Sequence, residues 1–216
     1  KYGIAVNSGS SANLLALEAL KKIYNLKKGD EVIIPASTFA TVAMPIIQVG
    51  LKPVYVDINI HNLNLDLEQL TKAINIKSKV IMIVHTLGNC HGIEKIKKIA
   101  KKNKLILFED CCESHGASSS NKKVGSWGLI SAFSFFVAHN MTTGEGGMIL
   151  TNNKKIMKLC KSLREFGRVD QNFNQSNRYF SNKKIRNYDK RYLFNNIGYN
   201  LRTVSYTHLT LPTIRL

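Results

Sequence analysis

The 216 residues carry 31 Lys and Arg against 14 Asp and Glu, a formal net charge of +17 at neutral pH, and 44% of them are hydrophobic. That is enough apolar material for one full core, as one large domain or part of a larger one, and no apolar run approaches the roughly 20 residues that a bilayer span needs. The lysines are spread over most helical segments, with no aromatic-interleaved basic stripe, no helix-turn-helix and no zinc spacing, so the charge reads as a solvated surface able to attract anionic substrates, and neither a nucleic-acid nor a membrane partner is expected.

The four cysteines are Cys90, Cys111, Cys112 and Cys160. The adjacent pair cannot both serve a simple staple and the spacing fits no zinc site, so they read as reduced thiols of a cytoplasmic protein, and no metal is expected. The chain opens on Lys1 without Met and is expected to be a piece of a longer protein; no targeting segment is visible.

In chain order, residues 1–7 (KYGIAVN) form a short strand, and Ser8-Gly9-Ser10-Ser11-Ala12-Asn13 turns it into a helix with Leu14, Leu17, Leu20 and Tyr24 near helical period. Such a turn offers free backbone N–H groups and hydroxyls to an anion; plain N-capping by Ser10 or Ser11 is the other reading. Strands follow at 31–35, 53–56, 80–85 and 104–108, the last closed by Glu109-Asp110. Helices follow at 40–49, 65–74 and 93–102. Short connections between alternating strands and helices predict an α/β domain with a largely parallel sheet flanked by helices. Ligands bind beyond the carboxyl ends of such strands, and those ends carry Ser8–Ser11, Ser37–Phe39, Thr86–Asn89, Glu109-Asp110 and His139.

Residues 131–147 (SAFSFFVAHNMTTGEGG) concentrate the chemistry. An apolar run with strand character reaches Val137, breaks into a polar segment at His139, and ends in crowded glycines that allow positive φ and close backbone approach. His139 is expected to face a pocket, although a lone His beside an apolar run is also a common structural residue. A strand at 148–151 and a basic helix at 154–163 follow. Residues 164–191 are polar and without clear period, 192–202 recover some pattern, and 204–216 have the texture of a non-native tail, which leaves 1–203 as the domain.

The segments NSGSSANLLALEAL, EVIIPASTFA, HTLGN, FEDCCESHGA, FSFFVAHNMTTGEGGMILT, SLREFGR and YNLR, in this order and spacing, resemble the DegT/DnrJ/StrS family of pyridoxal-phosphate-dependent sugar aminotransferases and sugar dehydratases. The resemblance spans roughly residues 1–203. It implies an aspartate-aminotransferase-like fold (fold type I), of which the chain holds most of the large domain without the smaller C-terminal domain and the extreme N-terminus, and a homodimer with sites at the subunit interface. It also implies that Gly9, Ser10, Ser11 and Ser134 bind the cofactor phosphate and that Phe39 stacks on the pyridine ring; an ordinary core Phe is the other reading of Phe39. Asp110 would pair with the pyridine nitrogen, Glu113, one helical turn onward, would face the ring hydroxyl, and Asn200 would reach the phosphate of the neighbouring subunit.

The sequence departs from the aminotransferases of that family at His139, where they carry the lysine that tethers the cofactor; Lys154 and Lys155 lie beyond the next strand and do not replace it by register. Imidazole can take a proton but cannot tether pyridoxal phosphate. This resembles the dehydratase branch, in which pyridoxamine phosphate is held noncovalently and His139 would be the base in loss of the 3-hydroxyl from a nucleotide-linked 4-keto-6-deoxyhexose, chemistry of deoxysugar and lipopolysaccharide biosynthesis. One style of that branch uses an iron–sulfur cluster and a reductase; the other uses glutamate as amino donor. A cluster needs four cysteine thiolates. Only the first is matched, near Cys111-Cys112, and the positions after Arg168 hold Val169, Asp170, Gln171 and Asn172, so no cluster is expected. A nucleotide-sugar aminotransferase and a non-catalytic sugar-nucleotide-binding relative are the alternatives.

Overall fold

The computed structural model describes residues 1–169, 189 and 192–203. The tail at 204–216, and 170–188 and 190–191 of the polar stretch, lie outside the described residues. Seven strands form one sheet: β1 (Tyr2–Val6), β2 (Glu31–Pro35), β3 (Lys52–Val56), β4 (Ser78–Val84), β5 (Ile106–Asp110), β8 (Ile130–Ser134) and β9 (Gly147–Thr151), in the order β1-β9-β8-β5-β4-β2-β3. A small hairpin, β6 (Ser118–Ser119) and β7 (Lys122–Lys123), stands apart. β9 runs antiparallel to both of its neighbours, while β2, β3, β4, β5 and β8 pair in parallel. β1 and β8, each antiparallel to β9, therefore point the same way, and six carboxyl ends share one edge with the start of β9.

Among the described residues five α-helices cover the sheet: α1 (Gly9–Tyr24), α2 (Ala40–Gln48), α3 (Leu67–Ala73), α4 (Ile93–Lys102) and α5 (Lys154–Arg164). The strands alternate sides. Val32, Ile34, Val80, Met82 and Phe108 enter one core with residues of α1, α2 and α5; Ile33, Ile81, Ile83 and Leu107 enter the other with residues of α3 and α4. Both faces are thus dry, which is why these strands read as continuous apolar runs, and each fully buried Ile, Leu, Met or Phe stabilises the fold by about 1.5–3 kcal/mol.

Several boundaries differ from the sequence expectation. β5 continues through Glu109 and Asp110, both buried, because each carboxylate finds donors inside the protein. β8 stops at Ser134, before Phe135, Phe136 and Val137. Phe135 then turns inward to the loop, its N–H on the Gly146 carbonyl at 2.8 Å and its carbonyl accepting from Thr143 N at 2.9 Å. α3 begins at Leu67 because Asp66 caps it through Gln69 N at 2.8 Å, and Tyr24 points outward at the end of α1.

Candidate active site

Strand register brings Gly9, Ser134 and Asp110 to one edge. Val6 and Ser134 both pair with Gly147, and Asp110 pairs with Ala132, two residues before Ser134. With neighbouring strands about 4.8 Å apart, the turn after β1, the end of β8 and the end of β5 are adjacent. Glycine makes the contact possible. A Cβ on Gly9 would stand 2.5 Å from Ser134 Cβ and 3.0 Å from Cys112 Sγ, and a Cβ on Gly147 would run into the Ser8 carbonyl.

The cap of α1 is Ser8, and not Ser10 or Ser11: its hydroxyl oxygen accepts from Ser11 N at 3.1 Å. Ser8 alone has the extended backbone of a cap, with φ −164° and ψ 164°. Helix geometry leaves the N–H groups of Gly9 and Ser10 without intrahelical acceptors, and no acidic residue occupies this first turn. Beside the turn, Ser134 is buried and its Oγ accepts from Phe136 N at 3.2 Å.

Asp110 is buried at the end of β5. Its Oδ1 accepts from Cys112 N at 3.0 Å and its Oδ2 from Asn13 Nδ2 at 2.8 Å. Burial first, then the Asp110 charge, pushes the Cys112 thiol far up, and burial likewise raises Cys111. All four cysteines are free thiols. Glu113 lies in a turn and not on a helix, since the Ser114 N–H closes onto the Cys111 carbonyl at 3.1 Å; its carboxylate accepts from Leu87 N at 3.0 Å. Phe39 is the extended residue before α2 and is 73% exposed, so the core reading of it is wrong for this chain.

His139 lies five residues past β8, half-buried. Its N–H donates to the Phe136 carbonyl at 3.0 Å, its ring meets the Phe136 edge at 5.9 Å, and its Nδ1 is buried without a partner. A second imidazole, His115, packs between Phe133 and Phe135, and burial followed by the His139 charge lowers its pKa. Asn200 is exposed on a strap at the end of β1, where Asn7 N donates to the Leu201 carbonyl at 3.1 Å; its Oδ1 accepts from Arg202 Nε at 3.3 Å.

Glu109 faces the other way. His85 Nε2 stands 3.0 Å from its Oε2, and the N–H groups of Gly125, Trp127 and Gly128 donate to the same carboxylate at 2.6–2.8 Å. His85, Glu109 and Cys111 lie within 4.8 Å of one another, but a carboxylate so fully engaged with backbone donors acts as a knot holding the 125–128 loop. The sequence expectation that Glu109 joins Asp110 at the ligand edge is therefore corrected, and its pairing with His85, like the roles of Asn13 and His115, has no counterpart in that expectation. For Asn13 a signal existed: a polar residue on the stripe that also holds Ala12, Ala16 and Leu20.

An α/β sheet that gathers a helix start without acidic residues, a buried carboxylate and an imidazole at its carboxyl edge has the donors to receive a small anionic ligand. The chain belongs to the DegT/DnrJ/EryC1/StrS aminotransferase family, whose model matches residues 1–205. It is 40% identical over 204 residues to the GDP-4-keto-6-deoxy-D-mannose 3-dehydratase of Escherichia coli O55:H7, covering 94% of this chain and 52% of that one. It is also 40% identical to the lipopolysaccharide biosynthesis protein RfbH of Salmonella typhimurium, over 92% of this chain and 48% of the relative. A solved E. coli GDP-4-keto-6-deoxy-D-mannose-3-dehydratase with bound hydrated PLP superposes with a TM-score of 0.84 at 39% identity, covering 94% of this chain and 52% of that structure. The chain spans about half the length of the curated relatives it matches. Its architecture is the aminotransferase-like, fold type I large domain that the resemblance implied.

Proposed function

We propose that the protein is a pyridoxal/pyridoxamine 5'-phosphate-dependent 3-dehydratase of a nucleotide-linked 4-keto-6-deoxyhexose, with His139 as its base. One observation carries the reading. In the loop after Ser134, where the family's aminotransferases have their tethering lysine, this chain holds an imidazole whose Nδ1 is buried and free of partners.

The residues present suit such a cofactor. Buried polar atoms of Asn7, Asn13, Thr38, Ser114, His115 and His139 lack partners, and all six residues sit at or just beyond the carboxyl edge. The first turn of α1 and Ser134 would hold the phosphate through backbone N–H groups and hydroxyls; the helix-end contribution is only about 0.3–1 kcal/mol near a surface, so the added donors matter. Asp110 would meet the pyridine nitrogen, Phe39 would cover the ring, and Glu113 would face its hydroxyl edge. When bound, the cofactor supplies an amine that condenses with a ketone and a ring that accepts electrons. His139 takes the proton from the aminomethyl carbon, and a positioned base is worth roughly 10²–10⁴-fold.

Glutamate is the proposed amino donor, and an iron–sulfur cluster is not part of the reading. The exposed apolar face formed by Phe39, Met44 and Ile47 supports a homodimer in which Asn200 reaches the partner's phosphate site. Among the described residues no helix is long and apolar enough to cross a membrane, and with free thiols this favours a cytoplasmic enzyme. The test is borohydride reduction of the loaded protein together with His139→Asn. We expect no cofactor fixed to any lysine, and a variant that keeps cofactor while losing 3-hydroxyl elimination. A lysine–cofactor adduct by mass spectrometry, or undiminished turnover in the variant, removes the assignment.

A further inference from the structure

α1 buries a polar side chain where its neighbours are apolar. Asn13 is 1% exposed, and its amide nitrogen donates to Asp110 Oδ2 at 2.8 Å and to the Thr41 carbonyl at 3.3 Å. Two acceptors on one side fix the amide's orientation, because a flip would set Oδ1 against both of them. Oδ1 is left buried with no donor. An apolar residue on this stripe would carry no such orphan, so the position retains an amide that packing alone does not call for.

We infer that Asn13 is a positioning residue, orienting the Asp110 carboxylate toward the cofactor's ring nitrogen while tying that carboxylate to the phosphate turn and to the start of α2. The inference rests on the cofactor reading above. Asp110 is held at both oxygens, by Cys112 N at 3.0 Å and by Asn13, and cannot rotate without losing a bond. Asn13 follows Gly9 by one turn of the same helix, and Thr41 stands two residues after Phe39. The groups proposed for the phosphate, the ring nitrogen and the ring face therefore share one amide.

The experiment is titration of the full chain with pyridoxal phosphate, followed by the absorbance of the bound chromophore, for the native protein, Asn13→Leu, Asn13→Asp and Asp110→Asn. Asn13→Leu is expected to raise Kd roughly tenfold, the size of one lost polar contact, and to change the bound spectrum. Asn13→Asp, of nearly equal volume, is expected to stay folded and show the same spectral change, since a second carboxylate beside Asp110 favours a proton shared by the pair and weakens the negative charge that Asp110 presents to the ring nitrogen. In the Asp110→Asn background, Asn13→Leu is expected to alter Kd by less than about twofold, as it acts through a group already removed. Native-like binding and spectrum in a folded variant, or a full effect in the Asp110→Asn background, overturns the inference and leaves the cofactor reading standing. Loss of fold in both Asn13 variants, seen by circular dichroism, assigns the residue to the core and also overturns it. A native chain that takes up no pyridoxal phosphate overturns the reading and the inference together.

Discussion

His115 shows how much a single side chain can report. Both of its ring nitrogens are buried without partners, and burial, then the His139 charge, lowers its pKa below the ordinary 6.5. The unfolded chain therefore binds a proton here at a pH where the folded protein does not. The contribution of His115 to stability is fully present above 6.5 and is lost as pH falls through that value toward the folded pKa. Denaturant midpoints measured at pH 7.5 and 5.5 should show this loss, and His115→Phe, which keeps an aromatic ring between Phe133 and Phe135, should reduce the difference; an unchanged difference would clear His115 of the effect. At this scale the sequence was informative only where a motif marked a residue. Gly9, Ser134, Asp110 and His139 stood in recognisable segments and the register brings the first three together. Asn13 and His115 owe their character to partners far along the chain, and Ser8, not Ser10 or Ser11, is the cap because backbone angle and not residue type decides that role.

Among the elements, the contact between the start of α1 and the start of β9 is the tightest around the site. Gly147 has no room for a side chain against the Ser8 carbonyl. Gly147→Ala is expected to destabilise the protein by about 1–3 kcal/mol through forced backbone shifts, more than Ser8→Ala, which removes a cap worth about 1 kcal/mol. Thermal melts of the two variants check the order, and a Gly147→Ala melt at or above that of Ser8→Ala would refute it. α4 and β2 were legible to the residue, because strong amphipathicity or an apolar run bounded by polar residues delimits them. The apolar pattern predicts a strand three residues longer than β8, since Phe135, Phe136 and Val137 continue the pattern while the strand ends at Ser134. β5 was read as closing before its acids, because a buried carboxylate is visible only with its donors.

For the whole molecule, the fold class followed from strand–helix alternation, but the place of β9 between β1 and β8 did not, as nothing local records which distant strands pair. The exposed Met44 and Ile47 on α2 lead to a prediction at this level. The homodimer proposed above predicts that Ile47→Glu lowers the sedimentation coefficient and weakens cofactor binding while the variant stays folded by circular dichroism; an unaltered sedimentation coefficient counts against a subunit contact through this face. The apolar interior needs no such partner. Each of its two halves is closed by the chain's own helices.

Among the described residues the sheet's first strand pairs with one neighbour, β9, far along the chain. On the ribosome, Tyr2–Val6 emerges long before Gly147–Thr151 exists to receive it, and closing so wide a loop is entropically slow. Until then the serine turn has no floor, and β1 presents bare peptide groups to any other nascent chain. Closure of that turn against Gly147 therefore has to await synthesis of β9, and until then this edge stays open to misassociation.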